Sequence, residues 1–170
     1  GRNLMDHLGI DLMFRSTRPS LNQVLRPFLG KAKVGLQYLL TKKGPLSMSL
    51  NQAGGFLRLQ EGEGSPDLQL YFSPLSYSRA PAGQRPLMSP DPFPAYRLGF
   101  NPCKPTSKGY IELRSPDPSK APVMHANYLD TEEDCQVMIQ GTRLMRRIAA
   151  AGPLADVTER EVVPGLECES

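Results

Sequence analysis

Apolar residues change their spacing twice along this chain, and that change of period limits the fold more than any single motif does. Between residues 21 and 40 they recur at three- and four-residue steps, first through Leu21, Val24, Leu25 and Phe28, then through Val34, Leu36, Tyr38, Leu39 and Leu40. Such spacing is the stripe of an α-helix, so two helices are expected, both packed on a sheet. Ser20 is placed to cap the first and Pro27 disturbs its end. Lys42, Lys43 and Gly44-Pro45 give the second a basic last turn and a stop. From Gln52 the spacing becomes two. Leu57 and Leu59 flank Arg58, and beyond a Gly/Ser/Pro turn at 62–66 Leu68, Leu70 and Phe72 alternate with Gln69 and Tyr71. Alternation predicts two antiparallel strands with one buried face.

Ile10 to Arg15, Tyr96 to Phe100 and Gly109 to Arg114 read as further strands. The helical period then returns. Thr131 is a good N-cap with Asp134 at the capping-box position, Glu132 and Glu133 suit the positive first turn, and Val137, Met138, Gly141, Leu144, Met145 and Ile148 form one stripe. Arg146, Arg147 and Gly152-Pro153 end it. Helices, then strands, then a helix, without βαβ alternation or repeat, predict an α+β fold: an antiparallel sheet with helices packed on one face. A length of 170 residues suits one folding unit. Seventeen prolines and 15 glycines demand many turns, and five of the prolines fall in residues 78–94, which read as a long loop of the kind that forms lids, entrances or partner surfaces.

Several functions find no support. A formal charge of +3 with no run of like charges offers nothing to nucleic acid or to an anionic membrane. Cys103, Cys135 and Cys168 stand singly, without the paired spacing of a zinc or redox site, so no metal is expected. No apolar stretch approaches the roughly 20 residues of a membrane span. Phosphate-cradling and nucleophile-elbow motifs do not occur in the chain, and Gly54-Gly55 lacks the following helix that a phosphate site requires. His7 and His125 are the two histidines, and neither sits in a nucleophile context.

Five segments carry a resemblance. Gly1-Arg2-Asn3-Leu4-Met5-Asp6-His7 resembles the G-x-N-L-x-D-H sequence of glucose-methanol-choline oxidoreductases. Ala53-Gly54-Gly55-Phe56 is similar to the A-G-G-F segment that enters their substrate-domain sheet, and Lys104-Pro105-Thr106-Ser107-Lys108-Gly109 to their R-P-x-S-R-G turn. Leu113-Arg114-Ser115-Pro116-Asp117-Pro118 and Ala126-Asn127-Tyr128-Leu129 are similar to L-x-S-x-D-P and P-N-Y-L. The order is the family's, over nearly the whole chain.

The resemblance implies an FAD-dependent oxidoreductase acting on an alcohol, of which this chain is a segment. Its opening inside a motif is expected to mark a cut. Residues 1–17 would be a flavin-proximal connecting segment and residues 18–170 the substrate-binding domain, joined in the complete enzyme to a nucleotide-binding unit and to a catalytic histidine in an H-x-x-G-T segment. No catalytic residue is expected in this chain. Asn3, Asp6 and His7 match the flavin-proximal motif; their side chains are suited to the isoalloxazine edge, or equally to pinning a loop by bonding nearby backbone. Leu50, Asn51 and Gln52 occupy a stretch that lines the pocket in choline-oxidising relatives, where a His-x-Glu supplies a carboxylate to the quaternary ammonium. Gln52 is neutral and does not balance a desolvated cation, so the resemblance implies an uncharged alcohol rather than choline. Phe56, Tyr71, Phe72 and Phe100 are suited to add apolar pocket surface, Phe56 being the one placed with the substrate residues, but aromatic residues in strands are more often core.

Two other readings stand beside this one: a non-catalytic binding module that keeps the substrate-domain fold, and a small hydrolase built on His7 or His125. The expected location is cytoplasmic, or peripheral at a membrane face.

Overall fold

The computed structural model describes residues 1–59, 64–77 and 89–168. In chain order the elements are β1 (Arg2–Leu4), β2 (Ile10–Ser16), α1 (Leu21–Leu25), α2 (Phe28–Thr41), a 3-10 turn at Pro45–Ser47, β3 (Ala53–Leu57), β4 (Leu68–Ser73), β5 (Ala95–Pro102), β6 (Gly109–Glu112), β7 (Val123–His125), α3 (Glu132–Ala149), α4 (Gly152–Ala155) and β8 (Thr158–Val163). Five strands pair in the order β3-β4-β5-β2-β8 and three in the order β1-β6-β7. Every pairing is antiparallel. The α+β expectation therefore holds.

The period-two pattern explains which side of the larger sheet is closed. Leu12 and Phe14 of β2, Leu68 of β4, and Tyr96, Leu98 and Phe100 of β5 are buried in one cluster with Met138, Met145 and Ala149 of α3. Phe14, Tyr96 and Phe72 stack across three strands, with ring centroids 5.3 and 5.6 Å apart. Helix α3 lies close because Gly141 has no side chain: a Cβ there would sit 2.3 Å from the Phe100 ring. The hydroxyl of Tyr96 meets that of Thr158 at 2.6 Å, so the aromatic layer reaches β8. Arg146 grips Glu161 of β8 with two bonds of 2.9 and 3.0 Å and fixes the other end of α3.

Several expectations need correction. Pro27 does not merely disturb a helix; it divides two, serving as the N-cap of α2 after a capping box at Ser20 and Gln23 has started α1. Helix α2 was expected on the sheet, yet its helical neighbours are α1 and the 3-10 turn, and Val34 is its one buried residue. Strand β3 includes both glycines, as the change of spacing from Gln52 leads one to expect, but ends at Leu57, before Leu59. Strands β1, β7 and β8 were not foreseen; they are edge or short strands with weak alternation. Strand β2, inside the expected connecting segment 1–17, is an inner strand between β5 and β8. Most of the expected loop, residues 78–88, lies outside the described residues. The stretch leading from it into β5 is pinned: Asn22, fully buried, donates to the Phe93 carbonyl and to the Ser76 hydroxyl, both at 2.8 Å.

Asp134 is not the reciprocal partner of its own cap. Thr131 accepts from the Asp134 N–H at 3.3 Å, whereas the Asp134 carboxylate turns to the 106–107 segment. It accepts from Thr106 N–H at 2.8 Å, Thr106 Oγ1 at 2.9 Å and Ser107 N–H at 2.9 Å. Burial pushes its pKa up, but the Ser107 and Thr106 bonds outweigh burial and hold it down at about 2, against an ordinary 3.8. A depressed carboxylate stabilises the fold above its unfolded-state pKa, and that contribution is lost as pH falls toward the folded value. Asp134→Asn should therefore cost roughly 2 kcal/mol near neutral pH, and the difference from wild type should shrink between about pH 4 and 2. Urea unfolding across that window checks both the size and the sign.

Candidate functional site

Strand alternation sends a different set of side chains to the face that α3 does not cover. The register aligns Gly54, Tyr71, Gly99 and Asp11 in one row across β3, β4, β5 and β2. The flanking row places Ser73, Arg97, Met13 and Val163 together, and a row on the other side carries Phe56, Gln69 and Asn101. The bare backbone of Gly99 makes room for the Tyr71 ring, since a Cβ there would come within 1.8 Å of Tyr71 Cε2 and 2.3 Å of Asp11 Oδ1.

The rows end in a cavity of about 360 Å³ lined by Asp11, Met13, Tyr77, Asp91, Phe93, Arg97, Val162 and Val163. That size suits a small ligand. Its polar groups are already matched. Arg97, buried to 8% exposure, donates to Asp11 Oδ2 at 2.9 Å and to the Leu75 carbonyl at 3.2 Å, and its guanidinium lies 4.2 Å from the centroid of the Tyr77 ring. Asp91 accepts from the Ser76 hydroxyl at 2.8 Å. Burial, and then the charge of Asp11, push the Tyr71 phenol above its ordinary value, with Arg97 opposing. Tyr71 is thus a neutral hydroxyl throughout the physiological range, able to donate one hydrogen bond.

The residues expected at a substrate pocket approach this face from its β3 edge. Gln52 N–H donates to the Phe72 carbonyl at 2.9 Å, which extends the ladder by one residue, so Gln52 follows the Gly54 and Phe56 side by alternation. Phe56 is 65% exposed there. Leu50 is half-buried and Asn51 exposed, before the ladder begins. Of the aromatic residues that suited core or pocket, Phe100 and Phe72 belong to the α3 side and Tyr71 to the open side.

Asn3, Asp6 and His7 lie around the smaller sheet. Asn3 adopts φ of +63° and lines a second cavity of about 550 Å³ with Gly1, Arg2, Lys108, Gly109, Tyr110, Ile111 and Glu112. Asp6 accepts from the Tyr128 hydroxyl and from His7 N–H, and these two bonds hold its pKa below the ordinary range. His7 Nδ1 meets the Pro102 carbonyl at 2.6 Å, and the Asn101 amide donates to the same carbonyl at 3.2 Å. Through Asn101, His7 joins the row that carries Gln69 and Phe56, so one sheet face connects both expected groups. His125 stacks on Tyr110, with centroids 4.3 Å apart. Among the described residues no Ser, Thr or Cys side chain bonds to either imidazole, which removes the geometric basis of the hydrolase reading. Among the same residues no group of three His, Cys, Asp or Glu is placed to hold a metal ion, and no helix is long and apolar enough to cross a membrane.

Asp11, Arg97 and Gly99 were missed. The signal was available: Arg97, Gly99 and Asn101 are the residues that alternate with the apolar Tyr96, Leu98 and Phe100, so they had to face away from the core.

A family model described as GMC oxidoreductase matches residues 105–169. Mitochondrial choline dehydrogenase of Homo sapiens is 34% identical over 174 residues, covering 100% of this chain and 28% of that protein. Alcohol dehydrogenase [acceptor] of Pseudomonas putida is 33% identical over 166 residues, covering 97% of this chain and 29% of that protein. Residues 105–169 match the GMC oxidoreductase model, and the likeness to choline and alcohol dehydrogenases runs over nearly the whole chain. The chain spans somewhat over a quarter of the length of these relatives. Solved structures carry the same fold: formate oxidase of Aspergillus oryzae RIB40, described for its FAD modification, superposes with a TM-score of 0.78 at 22% identity over 96% of this chain and 32% of that one. Pyridoxine 4-oxidase of Mesorbium loti gives 0.68 at 22% identity over 97% and 28%.

The tight approach at Gly99 is open to test. Gly99→Ala should displace the Tyr71 ring and cost about 1–3 kcal/mol by overpacking. Thermal unfolding, with near-UV circular dichroism to follow the tyrosines, should register both changes; an unaltered melting curve and spectrum would mean that Tyr71 does not rest on this glycine.

Proposed function

We propose that this chain forms the substrate-side wall of an FAD-dependent oxidoreductase acting on the CH–OH group of an uncharged alcohol. The observation that carries the reading is the sheet face left open by α3. It holds a cavity of ligand size whose one described arginine is matched to Asp11 at 2.9 Å, and it borders the neutral Gln52. The Asp11–Arg97 pair is neutral as a unit, Asp91 accepts from the Ser76 hydroxyl, and the Met13, Phe93, Val162 and Val163 surfaces suit an alkyl or aromatic body.

The flavin, when bound, supplies the hydride acceptor. The residues around Asn3 fit such a group in part. Asn3 and the backbone of Gly1 and Arg2 line a cavity of about 550 Å³, beside the cationic side chains of Arg2 and Lys108 that suit an anionic cofactor. Asp6 and His7 are engaged with Tyr128 and Pro102, so their part is to hold the Asn3 segment in position. The Tyr71 hydroxyl, kept protonated, is suited to orient an alcohol oxygen on the open face, while Phe56 and Tyr77 exclude water from it. Residues 1–17 then connect to the flavin and residues 18–170 shape the pocket. The histidine that accepts the alcohol proton belongs to polypeptide outside this segment, and location in the cytoplasm or at a membrane face suits either fate of the electrons.

Two measurements test the reading. In the full-length protein, apolar primary alcohols should bleach the flavin and choline should not, and Gln52→Glu should raise kcat/KM for choline relative to the alcohol by about tenfold or more, the scale of one desolvated charge pairing. Preference for choline in the unaltered protein would refute the uncharged-alcohol assignment. Residues 1–170 alone should bind FAD weakly in a fluorescence titration, because a single wall forfeits most of the cofactor's surroundings and their preorganisation. Tight stoichiometric binding would show that the cofactor site is complete within this chain.

A further inference from the structure

Helix α2 presents its apolar stripe outward. At 100° per residue, Phe28, Leu29, Ala32, Leu36, Leu39 and Leu40 fall within one arc of about 120°. The opposite side carries Gly30, Val34 and Tyr38, and it is this side that packs: Val34 is buried, and a Cβ on Gly30 would meet the Val24 carbonyl oxygen at 1.9 Å. The large residues of the stripe, by contrast, are between 58% and 82% exposed, and Leu46 and Met48 beyond the helix are exposed as well. Scattered exposed apolar residues are ordinary, but a contiguous stripe of leucine and phenylalanine on one helix marks a surface that something covers.

The charges beside the stripe indicate what covers it. Arg26, Lys31, Lys33, Lys42 and Lys43 lie in or next to α2, and no Asp or Glu occurs in the sequence from residue 12 to residue 60. Lys33 adjoins the apolar arc directly, where a long aliphatic stem lies along the stripe and lifts its ammonium to the edge. No run of like charge appears in the linear sequence because these cations are spaced; the helix and its flanking turn gather them. We propose that α2 is an interfacial helix that docks this protein on an anionic lipid bilayer, its leucines entering the headgroup boundary and its lysines meeting lipid phosphates. An apolar arc with basic flanks and no acidic residue is what that surface requires, whereas a protein groove receiving the same stripe would leave the lysines without counter-charges. The assignment is independent of the redox reading above.

Cosedimentation of the full-length protein with vesicles tests it. The protein should pellet with vesicles of phosphatidylcholine mixed with phosphatidylglycerol, weakly with phosphatidylcholine alone, and less as salt rises. Lys31→Gln with Lys33→Gln should weaken binding to the mixed vesicles by about tenfold, because each substitution removes one cation attracted to the anionic surface. Leu36→Asp with Leu39→Asp should abolish binding to both vesicle types at unchanged melting temperature and flavin spectrum, since those side chains support no packing in the fold. Failure to pellet with either vesicle overturns the proposal. So does equal binding by the leucine variant. A wild-type dimer in gel filtration that the leucine variant converts to a monomer, without lipid binding, would instead assign the stripe to contact between copies. Shielding of a thiol placed by Leu39→Cys in the lipid-free monomer would assign it to the protein's own remaining polypeptide.

Discussion

The seating of Phe100 against Gly141 is the contact on which the arrangement of this chain depends. A sheet with one face covered by a helix must send every second side chain into that interface, and an α-helix approaches a strand closely enough to seal it only where its own side chains allow. Gly141 allows it at the centre of α3, and Met138, Met145 and Ala149 close the space on either side. Once Leu12, Phe14, Leu98 and Phe100 are committed to that interface, alternation leaves Asp11, Met13, Arg97, Gly99 and Asn101 on the other side without choice. The candidate pocket is thus a consequence of how the core packs, not an addition to it.

Asp134 carries the same logic to the smaller sheet. Its carboxylate receives two backbone N–H groups and a hydroxyl from Thr106 and Ser107, directly before β6. Because α3 is seated on the larger sheet, this clasp sets where β6 and its partners β1 and β7 stand relative to β5. His7 and the Pro102 carbonyl make a second link, from the segment after β1 to the end of β5. Two clasps on two sides give the Asn3 cavity and the Arg97 cavity a fixed spacing, which a shared substrate and cofactor would demand. The basic turn at 104–109 and the L-N-Q-A-G-G-F stretch at 50–56, unremarkable as isolated motifs, serve this geometry: one supplies donors to Asp134, the other supplies the Gly54 row.

Legibility followed the strength of local signals. Helix α3 was readable, apart from the role of the Asp134 carboxylate, because its cap, acidic first turn, stripe and basic end all agree, and β2, β4 and β5 because alternation there is strong. Strand β8 was not, since Thr158–Val163 mixes Glu and Arg with Val, and it is completed by long-range partners: the Tyr96 hydroxyl on Thr158 and the Arg146 fork on Glu161. The orientation of α2 was misread because periodicity reports that a helix has an apolar side, not which way that side faces. Of the site, Gln52 and Phe56 were reached through likeness to a family, and Tyr71 was expected in the core rather than the pocket. Asp11 and Arg97 carry no motif at all, being brought together from positions 86 residues apart by register alone.

The Asp11–Arg97 pair also bears on why such a face should contain charge. Removing two ions from water costs several kcal/mol each, and an apolar pair of similar size is often as stable or more so. Stability therefore gives little reason for an arginine of 8% exposure on the face of the sheet turned away from the hydrophobic core. A rigid, mutually neutralised pair does have a use beside a ligand. It presents fixed dipoles with no net charge of its own and holds the Tyr77 ring by its cationic plane, beside the Tyr71 phenol, whose pKa is raised first by burial and then by Asp11, with Arg97 opposing. A ligand with its own full charge would have to break the 2.9 Å contact to be matched, leaving the other partner buried alone, while a neutral one leaves the pair intact. Under the proposed reading, the pair would discriminate against charge by a cost imposed on the wrong ligand rather than by a contact made only with the right one.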